Sequence, residues 1–82
     1  MSKNKPLEYY LALPYPIMLI PDREDGTWYA KIPLLPGCMS DGATPDEAID
    51  NVNEAKALWL QVALEEEDRI PEPEPLDALL AR

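Results

Sequence analysis

Four consecutive residues, Thr44-Pro45-Asp46-Glu47, constrain this chain more than any others. A threonine at an N-cap accepts from the unsatisfied N–H groups of a first helical turn. Proline is pre-organised for the first helical position, and a glutamate three residues after the cap completes a capping box. Asp46 and Glu47 also sit at the positive end of the helix dipole. Downstream, Ala48, Val52, Ala55, Trp59 and Val62 recur every three or four residues, and Ile49, Leu60, Ala63 and Leu64 widen that stripe. Asp50, Asn51, Asn53, Glu54 and Lys56 lie mostly off it. One amphipathic helix from 45 to roughly 66 follows. Its far end is less orderly. Glu65, Glu66, Glu67 and Asp68 crowd the negative pole of the dipole, and no glycine supplies a C-cap. Either that end frays into solvent or the acid run serves a partner.

What precedes this helix reads as a small antiparallel sheet. Ile17-Met18-Leu19-Ile20 is an apolar run bounded by prolines, the pattern of a short buried strand. Residues 22–26, "DREDG", carry turn chemistry. "TWYAKI" then alternates, with Trp28, Ala30 and Ile32 on one face and Thr27, Tyr29 and Lys31 on the other. Pro33 and Pro36 end that strand, and "GCMSDG" is long enough only for a brief third one. Gly37 and Gly42 would relieve strain at the turns flanking it. Upstream, "PLEYYLAL" places Leu7, Tyr10 and Leu11 at helical spacing, which predicts a helix of about two turns, with a strand as the alternative. After the long helix, "RIPEPEP" is extended because each proline pushes its predecessor out of helical space. Ile70 is a candidate short edge strand, and Leu76, Leu79 and Leu80 in "LDALLAR" have helical spacing. The expected fold class is α+β, with three or four antiparallel strands packed on one long helix. One domain is expected over residues 1–75, with a short tail over 76–82 for which a helix is one reading.

Bulk properties exclude several functions. A chain of 82 residues buries only about 60% of its unfolded surface, so a second subunit is one source of further core. The net charge of −9, from 16 acidic and 7 basic residues, argues against binding a bare phosphate backbone and suits a basic partner. One cysteine and no histidine leave no internal disulfide and no usual zinc set. Cys38 lacks a histidine base and lies six residues before Thr44, beyond reach of the helix dipole, so it reads as a small buried apolar residue. Gly37 and Gly42 have P-loop separation, but Ala43-Thr44 stands where Lys-Ser/Thr is needed. Neither apolar strand carries a carboxylate, which disfavours a two-metal nuclease. No catalytic residue, metal or cofactor is therefore expected. The apolar runs are too short to span a membrane, and "MSKNKPLEYY" has no signal-peptide core, so the expected location is the cytoplasm.

The order of these features resembles the HicB family of type II antitoxins. The resemblance lies in "EYYLALPYPIMLI", "WYAKIPLLPGCMSDG", "TPDEAIDNVNEAKALWL" and the final "IPEP", covering about residues 7 to 74. It implies a degenerate RNase H-like fold and a non-enzymatic role. It also implies that the partner is a small basic HicA-type toxin, an mRNA-cleaving ribonuclease whose active site and RNA surface the antitoxin masks. Homo-oligomers, dimers or larger, are a family tendency. Many HicB proteins add a C-terminal DNA-binding domain. Here the residues after Ile70 are few, acidic and proline-rich, so direct DNA or RNA binding is not expected. Two other readings remain open: a solitary regulatory or structural oligomer, and a residual metal-dependent nuclease. Candidate toxin contacts are Asp22, Glu24 and Asp25 in the hairpin loop, Tyr29 on the outer sheet face, and Glu65, Glu66, Glu67 and Asp68. Candidate oligomer contacts are Tyr9, Tyr10, Leu76, Leu79 and Leu80, because tyrosine and leucine supply large apolar contact area.

Overall fold

The structure is a computed structural model that describes residues 4–75, so Leu76, Leu79 and Leu80 lie outside the described residues. A short helix α1 (Leu7–Leu11) leads into three strands, β1 (Met18–Asp22), β2 (Thr27–Lys31) and β3 (Met39–Gly42), followed by the long helix α2 (Pro45–Glu65). The strands form one antiparallel sheet in the order β1-β2-β3. The α+β expectation holds, with α2 covering one face of the sheet. Pro6 serves as the N-cap of α1 rather than its first residue, and the helix is only five residues long.

Each turn is closed by the residue type its geometry needs. Between β1 and β2, the Asp22 carboxylate accepts from the N–H groups of Glu24 (3.0 Å) and Asp25 (3.3 Å). Gly26, at φ +72°, returns its N–H to the Asp22 carbonyl at 2.9 Å. At the start of α2, Thr44 Oγ1 accepts from Glu47 N–H at 3.1 Å. The Glu47 carboxylate reaches one residue further back than in a standard capping box, to Ala43 N–H at 3.4 Å. Gly42 answers a different demand. A Cβ there would lie 2.5 Å from Ala48 N, so only glycine lets α2 start against the end of β3.

Three expectations need correction. The run around Ile20 is not a buried strand: Met18, Leu19 and Ile20 of β1 are exposed, and only Ile17 before it packs against the core. The cause is that α2 lies over β3 and β2 and only grazes β1. Second, the buried stripe of α2 runs through Ala48, Val52, Leu60 and Ala63, while Val62 is exposed. Four-residue steps follow one helix face, and Val62 falls off that line. Third, the acidic end of α2 is closed, not frayed. Asp68 N–H donates to Ala63 O (2.9 Å) and Glu67 N–H to Leu64 O (3.2 Å), with Glu67 at φ +56°. That is a Schellman ending in which a glutamate takes the left-handed position that glycine usually fills.

The core joins Ile32 and Leu35 beneath the sheet to Val52 and Leu60 of α2, all essentially fully buried. Cys38 is buried beside them as expected, and burial pushes its thiol upward against the opposing effect of Lys56. Beyond α2 the chain turns back across the N-terminal segment. Ile70 forms no strand; it is buried in the core. Tyr15 donates to Pro71 O at 2.6 Å, Tyr9 to Glu72 Oε1 at 2.7 Å, and Asn4 to Asp68 O at 2.9 Å. Burial, with Glu72 adding to it, pushes the Tyr15 hydroxyl up to about 12, so it stays a donor at neutral pH.

Candidate interaction surface

The strand register decides which side chains share the outer face of the sheet. Directly opposed residues in an antiparallel pair point the same way. Ile20 pairs with Tyr29, and Tyr29 pairs with Asp41. Met18 pairs with Lys31, which pairs with Met39, and Asp22 pairs with Thr27. This face therefore gathers Met18, Ile20, Tyr29 and Met39, which are 46%, 41%, 44% and 57% exposed. No element among the described residues covers it. The charges around this apolar centre are mostly acidic: Asp22, Glu24 and Asp25, with Arg23 among them, at the hairpin end, Asp41 beside Tyr29, and one cation, Lys31, between Met18 and Met39. Exposed apolar area of this kind gains by leaving water, and charge on its border biases the sign of whatever it meets.

The hairpin-loop acids and Tyr29 are thus brought onto one surface. One oxygen of Asp22 is already committed to the turn, so its main task is to shape the loop that presents Glu24 and Asp25. Glu65, Glu66, Glu67 and Asp68 lie elsewhere. The N-terminus of α2 abuts Gly42, which pairs with Trp28 next to the hairpin. Further along, Trp59 Nε1 donates to Pro36 O at 2.8 Å, beyond the opposite end of the strands. A helix of 21 residues is about 32 Å long, so the two acidic groups sit at opposite ends of the molecule.

The tyrosine pair divides as well. Tyr10 is 3% exposed and belongs to the core of its own chain. Tyr9 is half-buried against it, edge to face at 5.1 Å between ring centres, with Lys5 Nζ 4.4 Å from its ring centre. On the helix side, a cleft of about 360 Å³ lies between α2 and the turn before β3, lined by Cys38, Ala55, Leu58, Trp59, Val62 and Asp68. Burial pushes the Cys38 thiol up, away from the thiolate that a cysteine nucleophile needs. Among the described residues, no three His, Cys, Asp or Glu side chains are grouped to hold a metal ion, and no helix is long and apolar enough to cross a membrane.

Sequence reasoning missed Met18, Ile20 and Met39 because apolar residues in a strand read as core. The available signal was parity. Once Tyr29 is assigned to the outer face, a hairpin closed at Asp22 and Thr27 carries Ile20 and Met18 there too.

The family model for the HicB-like antitoxin of bacterial toxin–antitoxin systems matches residues 15–82. The chain belongs to the HicB-like antitoxin family. Curated relatives agree with that placement. It is 37% identical over 57 residues to the UPF0150 protein ssl0259 of Synechocystis, covering 70% of this chain and 77% of that protein. A UPF0150 protein of Thermoplasma acidophilum is 33% identical over 57 residues, covering 70% of this chain and 81% of its own. A third, from Archaeoglobus fulgidus, is 39% identical over 51 residues, 62% of this chain and 74% of that protein. No solved structure matches. The match begins at Tyr15, so in this HicB-like chain it spans the whole sheet and α2 and leaves α1 outside.

Proposed function

We propose that this HicB-like protein is a non-enzymatic antitoxin that neutralises a small basic HicA-type ribonuclease in the cytoplasm, docking it on the outer sheet face. The observation that carries this reading is the uncovered apolar centre of Met18, Ile20, Tyr29 and Met39 with acid on its border. Family membership supports a toxin as the occupant, and a net charge of −9 supports a basic one. An RNA-cutting enzyme must expose cations to phosphate, so an acidic rim with an apolar centre competes for the same surface that RNA needs. The charges speed encounter and the aromatic and methionine side chains hold the complex.

The test is co-expression and calorimetry with the product of a short basic reading frame adjacent to this gene. Tight binding that weakens as salt rises, together with rescue of growth, is the expected result. Tyr29→Ala weakens binding, and reversing Glu65 to Asp68 leaves it unchanged. A charge reversal at Glu65–Asp68 that abolishes binding, with Tyr29→Ala neutral, moves the interface to the end of α2. Failure of every adjacent product to bind sinks the antitoxin reading.

A further inference from the structure

A second apolar stripe on α2 is left uncovered among the described residues. Ala55, Leu58, Trp59 and Val62 stand at i, i+3, i+4 and i+7, so they share one face of the helix for two turns. That face lies to one side of the buried line through Val52, Leu60 and Ala63. All four residues line the cleft of about 360 Å³ between α2 and the turn before β3, where Gly37 and Cys38 form the other wall. Leu58, at 63%, is the most exposed large apolar side chain among the described residues, and Val62 is exposed beside it. The stripe is separate from the Tyr29 surface, because α2 packs on the opposite face of the sheet.

Three observations say what fits there. Continuing past Val62 by three and four residues gives Glu65 and Glu66, so the apolar stripe ends in acid at the negative pole of α2, and Asp68 lines the cleft at that end. These three carboxylates make no hydrogen bond or ion pair among the described residues. Of the nearby cations, Lys56 lies back toward Cys38, on whose thiol it acts, and Arg69 follows the turn; neither is paired with them. Second, the backbone of the cleft wall is in use. Cys38 N–H donates to Leu35 O at 2.9 Å, Cys38 O accepts from Ile32 N–H at 3.0 Å, and Pro36 O accepts from Trp59 Nε1 at 2.8 Å. An extended guest needs free N–H and C=O groups, whereas a helix arrives with its own satisfied. Third, four apolar residues at this spacing form the kind of ridge against which a second helix packs.

We propose that this stripe and its cleft dock a basic amphipathic helix of another protein. The guest seats apolar side chains against Leu58, Trp59 and Val62 and lays basic side chains against Glu65, Glu66 and Asp68. A guest that runs antiparallel to α2 also brings the positive end of its own dipole to that acid. The chain then carries two recognition surfaces, one on the outer face of the sheet and one on the flank of the helix layer, and holds a partner on each without competition. The acid run after α2, which lies away from the Tyr29 surface, gains a task of its own.

The test needs no toxin, so it stands or falls apart from the antitoxin reading. The probe is a capped peptide of leucine and lysine, about 16 residues long, with leucine at i, i+3, i+4 and i+7. It is titrated into the isotopically labelled full chain and followed by amide and indole NMR signals. Saturable shifts at Leu58, Val62 and the Trp59 indole, with Ile20, Tyr29 and Met39 unmoved, are the expected result. Leu58→Gln changes an exposed side chain, so it should keep the circular dichroism of the wild type and weaken binding about tenfold. Glu65→Lys combined with Glu66→Lys should weaken binding at low salt and much less at high salt. The same peptide with glutamate in place of lysine should bind at least about tenfold more weakly. No saturable shift up to about 1 mM peptide overturns the proposal. So do shifts centred on Ile20 and Tyr29, or equal affinity for the glutamate peptide. Sedimentation velocity covers the other occupants: a wild-type dimer that Leu58→Gln dissolves gives the stripe to a second copy. Peptide binding that appears only in the variant carrying Leu79→Ser and Leu80→Ser gives it to the chain's own end. Either result overturns the proposal.

Discussion

The two faces of the sheet are built from similar residues and have opposite fates. On the inner face, Ala30 and Ile32 of the central hairpin are sealed under Val52 and Leu60 of α2. On the outer face, Ile20, Met18 and Met39 are as apolar but stay in water around Tyr29. Hydrophobicity alone does not separate the faces; position relative to α2 does. On the proposed function, the inner face carries stability and the outer face carries recognition. Inner residues should govern folding with little direct effect on a partner, and outer residues the reverse.

The largest expected effect is on the inner face. Ile32 is 1% exposed, so Ile32→Ala removes buried methylenes and leaves a cavity. It should cost about 3 kcal/mol of stability, a drop of roughly 12–24 °C in Tm for a domain of this size. Thermal denaturation followed by circular dichroism measures it. At temperatures where the variant is still folded, partner affinity should match wild type; a large loss of affinity there would break the division between faces. Gly42→Ala should cost about 2 kcal/mol by overpacking, because the added methyl has Ala48 N in its path at 2.5 Å and backbone cannot swing aside.

On the outer face the order inverts. Tyr29→Ala and Ile20→Ala should each change stability by less than about 0.5 kcal/mol, since neither side chain is buried. Each should weaken partner binding about tenfold, about 1.4 kcal/mol, as read by calorimetry. If Ile20→Ala instead destabilises the isolated chain strongly while sparing binding, the outer face is internal packing of an assembly rather than a recognition surface.

How much of this was legible in the sequence follows from which forces are local. The start of α2 was readable because Thr44, Pro45 and Glu47 act within four residues of one another. The alternation of Trp28, Ala30 and Ile32 was readable because a hairpin fixes its own parity. The exposure of β1 was not, since it depends on the width of α2 against the width of the sheet, a property of neither segment alone. Nor was the burial of Ile70, which results from Tyr9 and Tyr15 holding a segment more than fifty residues away. Of the candidate site, the hairpin acids and Tyr29 share one surface, while the acid run after α2 was visible by its charge but not by its geometry.

That acid run supplies the smallest effect and a contrast with the glycine at the other end of the helix. Gly42 is there because a side chain would not fit; at Glu67 a side chain is present where glycine would cost less. At φ +56° the Cβ of Glu67 crowds the backbone carbonyl, a cost of roughly 1–2 kcal/mol for an L residue. Part of that gain is lost when glycine replaces it, because the unfolded chain becomes freer. The substitution also removes one negative charge from the negative pole of α2, worth a few tenths of a kcal/mol. The expected sum is a stabilisation of about 1 kcal/mol in Glu67→Gly, seen as a rise of roughly 4–8 °C in Tm. Glu67→Gln separates the two causes, since it keeps the Cβ and drops the charge, and should recover only the smaller part. Because Glu67 lies about 32 Å along α2 from the hairpin acids, neither variant should alter partner affinity. A stabilised Glu67→Gly protein that binds its partner poorly would show that the strained turn is kept for contact, and that recognition extends past the sheet to the end of the helix.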